Sequence, residues 1–470
     1  MDFIAALTQR LESKGIHELR QIGRVAGVGN PTNKKKAQLI EDIISIAKNE
    51  AQPIPRSTRG APPKSEEYDS ETVELIERCR NSFIKTEDGG DKAAFACPED
   101  EESVYSGILE FTDRFWFIRT QNMQISSGND VFVHVSFINR FSLRSGDKIV
   151  CRAKRRKQGE CPGVTMIISV NGRSPDLKRG TQFERLTPTY PDRRITLERK
   201  GGSLTDRVID LFSPIGFGQR ALIVSPPKAG KTTMLKGIAH AICANYPQAK
   251  VIVLLIDERP EEVTDITRSV PGAEVIYSTF DKGESHHVHT AALTLDYAKR
   301  TVEAGEDVII LLDSITRLTR AHNSLCNSGR ILSGGLDPQA LVEPKRFFGA
   351  ARNIEGGGSL TIIATALVDT GSRLDDVIYE EFKSTGNMEI ILSRELAERR
   401  VFPAMDVRAS GARKEELLLN ESELATGATV RGLLAGKLGE DELFKTMFST
   451  QDNAEFCAKA QAFFKVYNGR

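Results

Sequence analysis

An apolar run, Ala221-Leu222-Ile223-Val224, leads straight into Ser225-Pro226-Pro227-Lys228-Ala229-Gly230-Lys231-Thr232. The run reads as a buried strand and Gly-Lys-Thr as the mouth of a helix, so the stretch predicts a phosphate loop. Such a loop turns backbone N–H groups and a helix N-terminus towards phosphate oxygens. Lys231 is then placed to reach the β/γ-phosphates and Thr232 to offer its hydroxyl to Mg²⁺. The general pattern has glycine where this chain has Ser225. Pro226 and Pro227 fix φ across the turn in its stead. A bare Gly-Lys-Thr is more often an ordinary strand-turn-helix junction, and the sequence downstream decides between the two.

Apolar strands alternating with helical stretches follow, the pattern of a parallel α/β sheet. The run Val251-Ile252-Val253-Leu254-Leu255-Ile256 ends in Asp257-Glu258-Arg259, and Val308-Ile309-Ile310-Leu311-Leu312 ends in Asp313-Ser314. Leu360 to Ala366 makes a further strand. Carboxylates at the C-terminal ends of parallel strands lie where such sheets bind ligands. Asp313 is placed for the Mg²⁺ shell and Glu258 to orient an attacking water. Either carboxylate alone reads as a helix cap or an ion-pair partner. Phosphate loop, Glu258 and Asp313 in this order predict ATP hydrolysis.

Upstream, residues 1–50 carry apolar residues at helical spacing (Phe3, Ile4, Leu7, Leu11; Leu39, Ile40, Ile43, Ile44) and predict a small helical domain. Lys34-Lys35-Lys36 opens its last helix, more as a solvated face than as a phosphate contact. Residues 51–102 turn rich in Pro, Ser and acidic side chains and predict a linker, with some helical periodicity from Thr72 to Ile84. Residues 103–172 alternate apolar and polar positions through Gly107–Phe111, Phe115–Arg119, Asp130–Val133 and Asp147–Cys151, which predicts a small β-barrel. Phe115, Phe117 and Arg119 share one face of their strand. Exposed, that face is a stacking platform for unpaired bases beside a phosphate-binding cation; unexposed, the rings are core. Arg152 and Lys154-Arg155-Arg156-Lys157 add a basic run that favours nucleic acid. Trp116 points the other way, into the core. A connector at 173–200 leads to a motor domain at 201–470.

Basic and acidic residues number 64 each, so any nucleic-acid surface must be local. Seven cysteines without C-x-x-C spacing predict a reducing cytoplasm, and no apolar run is long enough to span a bilayer. His286-His287-Val288-His289 is expected on a loop in solvent or subunit contacts, because no acidic or cysteine partner has ligand spacing nearby.

Five segments carry a resemblance: Pro226 to Thr232, Leu255 to Thr264, Asp313 to Leu318, Pro344 to Asn353 and Ser410 to Leu418. They are similar to the bacterial Rho transcription-termination family. The resemblance implies a RecA-like P-loop NTPase motor behind an OB-type barrel and an N-terminal helical domain. It further implies a homohexameric, RNA-dependent ATPase that translocates 5′-to-3′ on single-stranded RNA, with RNA polymerase and elongation factors as partners. Carried over by position, it makes Lys228, Ala229, Gly230, Lys231, Thr232 and Thr233 the ATP loop, with Thr233 standing where methionine is common. It makes Arg413 an arginine finger, Arg400 a second interface arginine and Phe402 an adenine stack. Arg330, Ile331, Ser333 and Gly334 line a central RNA loop and Arg373 a second one. Asp113, Phe115, Phe117, Arg119, Asp130, Phe132 and Glu160 form the primary RNA site; Cys161-Pro162 replaces an expected tyrosine. The alternatives are a rotary-type ATPase subunit, whose barrel would be a collar without exposed aromatics, and an RNA-binding protein with a dead nucleotide site. The joint presence of Lys231, Glu258, Asp313 and Arg413 argues against the second.

Overall fold

The computed structural model describes residues 7–8, 10–11, 13–26, 28, 31–47, 102–112, 114–121, 123, 129–155, 161–177, 179–326, 329, 331–436 and 438–468. The expected linker up to residue 101, its helical stretch from Thr72, and Asp113, Arg156, Lys157, Glu160 and Arg330 lie outside the described residues. The chain divides into two compact units, Met1–Ala96 and Cys97–Arg470.

In the first unit the helices Ile16–Ala26 and Lys36–Ala47 bury Leu19, Ile22, Leu39 and Ile43 against Leu7 and Leu11. The second of these helices begins at Lys36, and Lys34 ahead of it pairs with Asp42 at 2.7 Å.

The second unit opens with a closed barrel of β1 (Ser103–Thr112), β2 (Phe115–Arg119), β3 (Val131–Val133), β4 (Lys148–Lys154) and β5 (Gly163–Val170), in the order β1-β2-β3-β5-β4. Alternate residues point inward, so Leu109, Ile118, Val131, Val133, Ile149, Cys151 and Ile167 form its core. Gly107 is required where β1 crosses β2, since a Cβ there would lie 2.2 Å from the Arg119 carbonyl oxygen.

Short strands β6 (Pro188–Thr189), β7 (Arg194–Ile195) and β8 (Ile215–Gly216) knit the expected connector onto the motor: β6 pairs with β13 (Arg352–Ile354) and β7 with β8. The main strands are β9 (Arg220–Ser225), β10 (Lys250–Glu258), β11 (Glu274–Thr279), β12 (Asp307–Asp313), β14 (Ser359–Leu367), β15 (Met388–Leu392) and β16 (Met405–Ala412). They lie in the order β11-β10-β12-β14-β9-β15-β16, parallel as far as β15 and antiparallel at β16. Helices cover both faces, which is why these strands are continuous apolar runs. Val251, Val253 and Leu255 enter one core with the helices Leu204–Phe212 and Lys231–Asn245. Ile252, Leu254 and Ile256 enter the other, against the helices Glu284–Glu303 and Ile315–Leu325. Six parallel strands thus deliver their C-terminal ends, and the loops after them, to one side.

Candidate nucleotide and RNA sites

The phosphate loop leaves β9 at Ser225 and ends on Gly230, the N-cap of the 15-residue helix Lys231–Asn245. Left-handed backbone falls at Lys228 (φ 64°) and Gly230 (φ 93°) but not at Ser225, which is still a strand residue. The departure from the general pattern at Ser225 therefore carries no conformational demand for glycine, whereas Gly230 does.

Two predicted catalytic groups, Lys231 and Glu258, converge with the predicted Mg²⁺-side carboxylate, Asp313. Lys231 Nζ lies 2.6 Å from Asp313 Oδ1 and 3.9 Å from Glu258 Oε2. Glu258 reaches the site through an irregularity: the β10 register shifts between Ile256 and Glu258, with Asp257 at φ 57°, and the carboxylate turns inward to 2% exposure. Burial raises its pKa, the Arg317 guanidinium opposes that rise and the Asp313 charge adds to it. Thr365 Oγ1 donates to Asp313 Oδ1 at 2.9 Å, fixing the carboxylate. Glu258 Oε2 and Asp313 Oδ2 are buried without a hydrogen-bond partner among the described residues. Two such oxygens facing a phosphate loop are costly unless a ligand completes them.

Sequence reasoning gave no role to Arg317 or Thr365. Arg317 Nη1 stands 3.3 Å from Glu258 Oε1 and also donates to the Asp257 carbonyl. Its signal was a cation four residues beyond a strand-end carboxylate, on the helix Ser314 caps. Thr365 had none, because its strand is paired to β12 only by the fold.

Beside the loop a cavity of about 250 Å³ is lined by Ala229, Gly230, Thr233, Met234, Phe402 and Pro403. Phe402 is 53% exposed, a ring face free for a base. Thr233 lines it too, and Met234 adds a thioether from the next position. Arg400 follows β15 at this same end of the sheet. Arg413 does not join the group. Ala412 on β16 pairs with Met388 at the start of β15, which pairs with Ala221 at the start of β9, so Arg413 lies at the opposite end from its own phosphate loop.

On the barrel, Phe115 is 54% exposed and Phe117 and Phe132 are half-buried, with Phe132 centred 6.0 Å from each of the other two rings. The face is an aromatic platform and not core. Trp116 is half-buried, tilted against the exposed Phe111 at 4.9 Å. The expectation for Arg119 is corrected: at 5% exposure it is no free cation. Its Nε donates to Glu110 at 2.6 Å, Nη1 to Asp130 at 2.7 Å and Nη2 to Thr112 at 2.9 Å. Neighbouring strands bring two carboxylates inward, and a guanidinium follows them because each charge satisfies the other. Asp130, also predicted for RNA, is engaged in that pair. The basic run leaves Arg152 and Arg155 exposed at the end of β4.

The two predicted central loops abut. Gly334 (φ 75°) packs so closely that a Cβ would sit 2.9 Å from the Arg373 carbonyl oxygen. Ile331 is 77% exposed, and Ser333 and Arg373 are exposed beside it. The second loop is anchored by Asp375, which takes Arg320 in two bonds of 2.8 and 2.7 Å and Thr370 at 2.6 Å. The histidines are corrected too: they lie on the helix Glu284–Glu303, and the described residues contain no metal-ligating cluster.

Residues 105–176 match the Rho termination factor RNA-binding domain, and residues 206–412 match the nucleotide-binding domain of the ATP synthase alpha/beta family. Transcription termination factor Rho of Bacillus subtilis is 53% identical over 365 residues, 76% of this chain and 85% of that protein. Rho of Haemophilus influenzae is 54% identical over 342 residues, 71% of this chain and 81% of that protein. The chain belongs to the Rho family. As a Rho-type transcription termination factor it binds RNA and hydrolyses ATP. The rotary alternative shares the nucleotide-binding domain, but Rho relatives span both barrel and motor. No helix among the described residues is long and apolar enough to cross a membrane.

Proposed function

We propose that this Rho-family chain works as a homohexameric ring in the cytoplasm, hydrolysing ATP between subunits to draw single-stranded RNA 5′-to-3′ through its centre and away from RNA polymerase and its elongation factors. The observation that carries the ring is the placement of Arg413, at the far end of the sheet from its own phosphate loop. An arginine acting on phosphate from there acts on a neighbour's.

In this reading Lys228, Lys231 and the helix N-terminus bind the phosphates, while Phe402 and Thr233 hold the base. Glu258 orients and polarises the water, itself held by Arg317. Arg413 of the adjacent subunit, with Arg400 as a second interface arginine, stabilises charge in the transition state. Mg²⁺ fits the donor set: Asp313 Oδ2 is a hard, buried oxygen without a hydrogen-bond partner among the described residues, and Thr232 stands in the first turn of the helix after the loop. Thr232 and Asp313 would hold the ion, which would neutralise phosphate charge. The platform of Phe115, Phe117 and Phe132 captures RNA, and the abutting loops at Ile331–Gly334 and Arg373 grip it in the ring. Asp113, Glu160 and Arg330 belong to these RNA surfaces by position in the family pattern.

The deciding experiment measures ATPase rate against added single-stranded RNA, alongside the mass of the assembly. Strong stimulation by a six-subunit particle is expected. A monomer with full RNA-stimulated turnover would sink the ring.

A further inference from the structure

The helix Glu284–Glu303 is 20 residues long, a rod of about 30 Å. The barrel and its adjoining turns touch it along that length. Glu110 of β1 pairs with His289, and Thr294 Oγ1 lies 3.7 Å from Met123 Sδ. The turn at Gly146 passes so near that a Cβ there would lie 2.3 Å from the Asp296 carbonyl carbon, and Arg144 pairs with Glu303. The first turn of the same helix contacts β11 and the C-terminal end of β10, which carries Glu258. His286 and His287 each place Nδ1 2.7 Å from Ser278 Oγ on β11, and His287 Nε2 is 4.0 Å from Asp257 Oδ1. Asp257 precedes Glu258, and Arg317 holds both of them.

His289 stands where these two sets of contacts meet, two residues from His287. Its Nδ1 is buried without a hydrogen-bond partner among the described residues, so the ring is held by its bond to Glu110 and by nothing polar on its own helix. Glu110 also receives Arg119 Nε, and Arg119 Cζ lies 5.2 Å from the Phe117 ring centre. Burial works to raise the Glu110 carboxyl, but the bonds from His289 and Arg119 outweigh it and hold the group below its ordinary value.

We propose that His289 is a positioning residue that couples base binding on the Phe115–Phe117 platform to Glu258, through Arg119 and Glu110 on one side and His287, Asp257 and Arg317 on the other. A base that stacks on Phe117 and draws on Arg119 or Asp130 redistributes the guanidinium's donors. That alters the hold of Glu110 on His289, and a helix is stiff enough to carry the change to Ser278 and Asp257. The coupling rests on the reading of the barrel face as the RNA platform. Linkage makes it reciprocal: nucleotide at the motor changes platform affinity by the same factor that RNA changes nucleotide affinity.

The test uses the full chain and a short single-stranded RNA, its Kd measured with and without a non-hydrolysable ATP analogue. Phe117→Ala serves as the control that the signal comes from the platform. Couplings of this kind run about 5- to 150-fold, and the parent chain should show a ratio in that range. In His289→Ala the ratio falls towards one, while RNA affinity without nucleotide, RNA-free ATPase rate and thermal midpoint stay at parental values. His289→Gln keeps a donor for Glu110 and restores the ratio. An unchanged ratio in His289→Ala overturns the coupling while leaving the platform intact. So does a joint loss of stability and RNA-free turnover that His289→Gln fails to rescue, since that marks a structural residue. RNA binding by the parent that Phe117→Ala leaves untouched would instead remove the platform itself, and the coupling with it.

Discussion

Replacing Arg413 by alanine separates a ring from a set of independent motors. Arg413 N donates to the Asn387 carbonyl at 2.8 Å and Asn387 N to the Arg220 carbonyl at 3.0 Å, so Arg413 is level with the start of β9. Ser225, where the phosphate loop begins, is five residues further along, about 16 Å at 3.3 Å per residue, and two strand spacings add about 10 Å sideways. No side-chain rotation closes that gap within one subunit. An arginine supplied across an interface is worth about 10³ to 10⁵ in kcat, roughly 4 to 7 kcal/mol of transition-state stabilisation. Arg413→Ala should therefore bind ATP and RNA normally and lose at least about three decades of RNA-stimulated turnover. In mixtures, a Lys231→Ala subunit cannot use its own ATP but still presents Arg413 to a neighbour. Rings assembled from the two variants should hydrolyse ATP faster than the sum of the separate proteins. If subunits demonstrably exchange and the mixture gives only that sum, or if Arg413→Ala alone turns over at the parental rate, action in trans is refuted.

Glu258→Gln should leave nucleotide affinity near parental and remove most turnover, as read by equilibrium binding and single-turnover hydrolysis; parental turnover would exclude it as the water-positioning group. Phe115→Ala and Phe117→Ala should each weaken RNA capture by about 1 to 3 kcal/mol without lowering the thermal midpoint much, the usual loss of one stacked base. Unfolding of the barrel with unchanged affinity in the folded fraction would return the rings to the core. The pH profile has a sign as well. Burial raises the Glu258 pKa above 4.5, only the ionised form polarises water, and so kcat should fall on acidification at a higher pH than for an exposed glutamate. An acid limb at or below the ordinary value would show that Glu258 is not the group titrating.

What the sequence determined by itself was local. A strand, a turn of fixed φ and a helix mouth are contiguous, so Ser225 to Thr232 announced the phosphate loop. Strand-end position downstream of that loop marked Glu258 and Asp313 together, because strand direction and apolar runs are legible along the chain. Alternation likewise put Phe115, Phe117 and Arg119 on one face of β2. It said nothing of depth: Arg119 is buried because Glu110 and Asp130 arrive from β1 and the approach to β3, and pairing across strands is invisible in a single segment. The histidines looked like a polar loop, yet His287 is drawn onto the helix and into the interior by Ser278 on β11. Arg317 meets Glu258 only because β10 and β12 are neighbours in the sheet. The closeness of Gly334 to Arg373, and the distance of Arg413 from its own loop, were likewise settled by tertiary structure. Each depends on which strands lie side by side and in which direction, a matter of shared core burial between segments far apart in sequence.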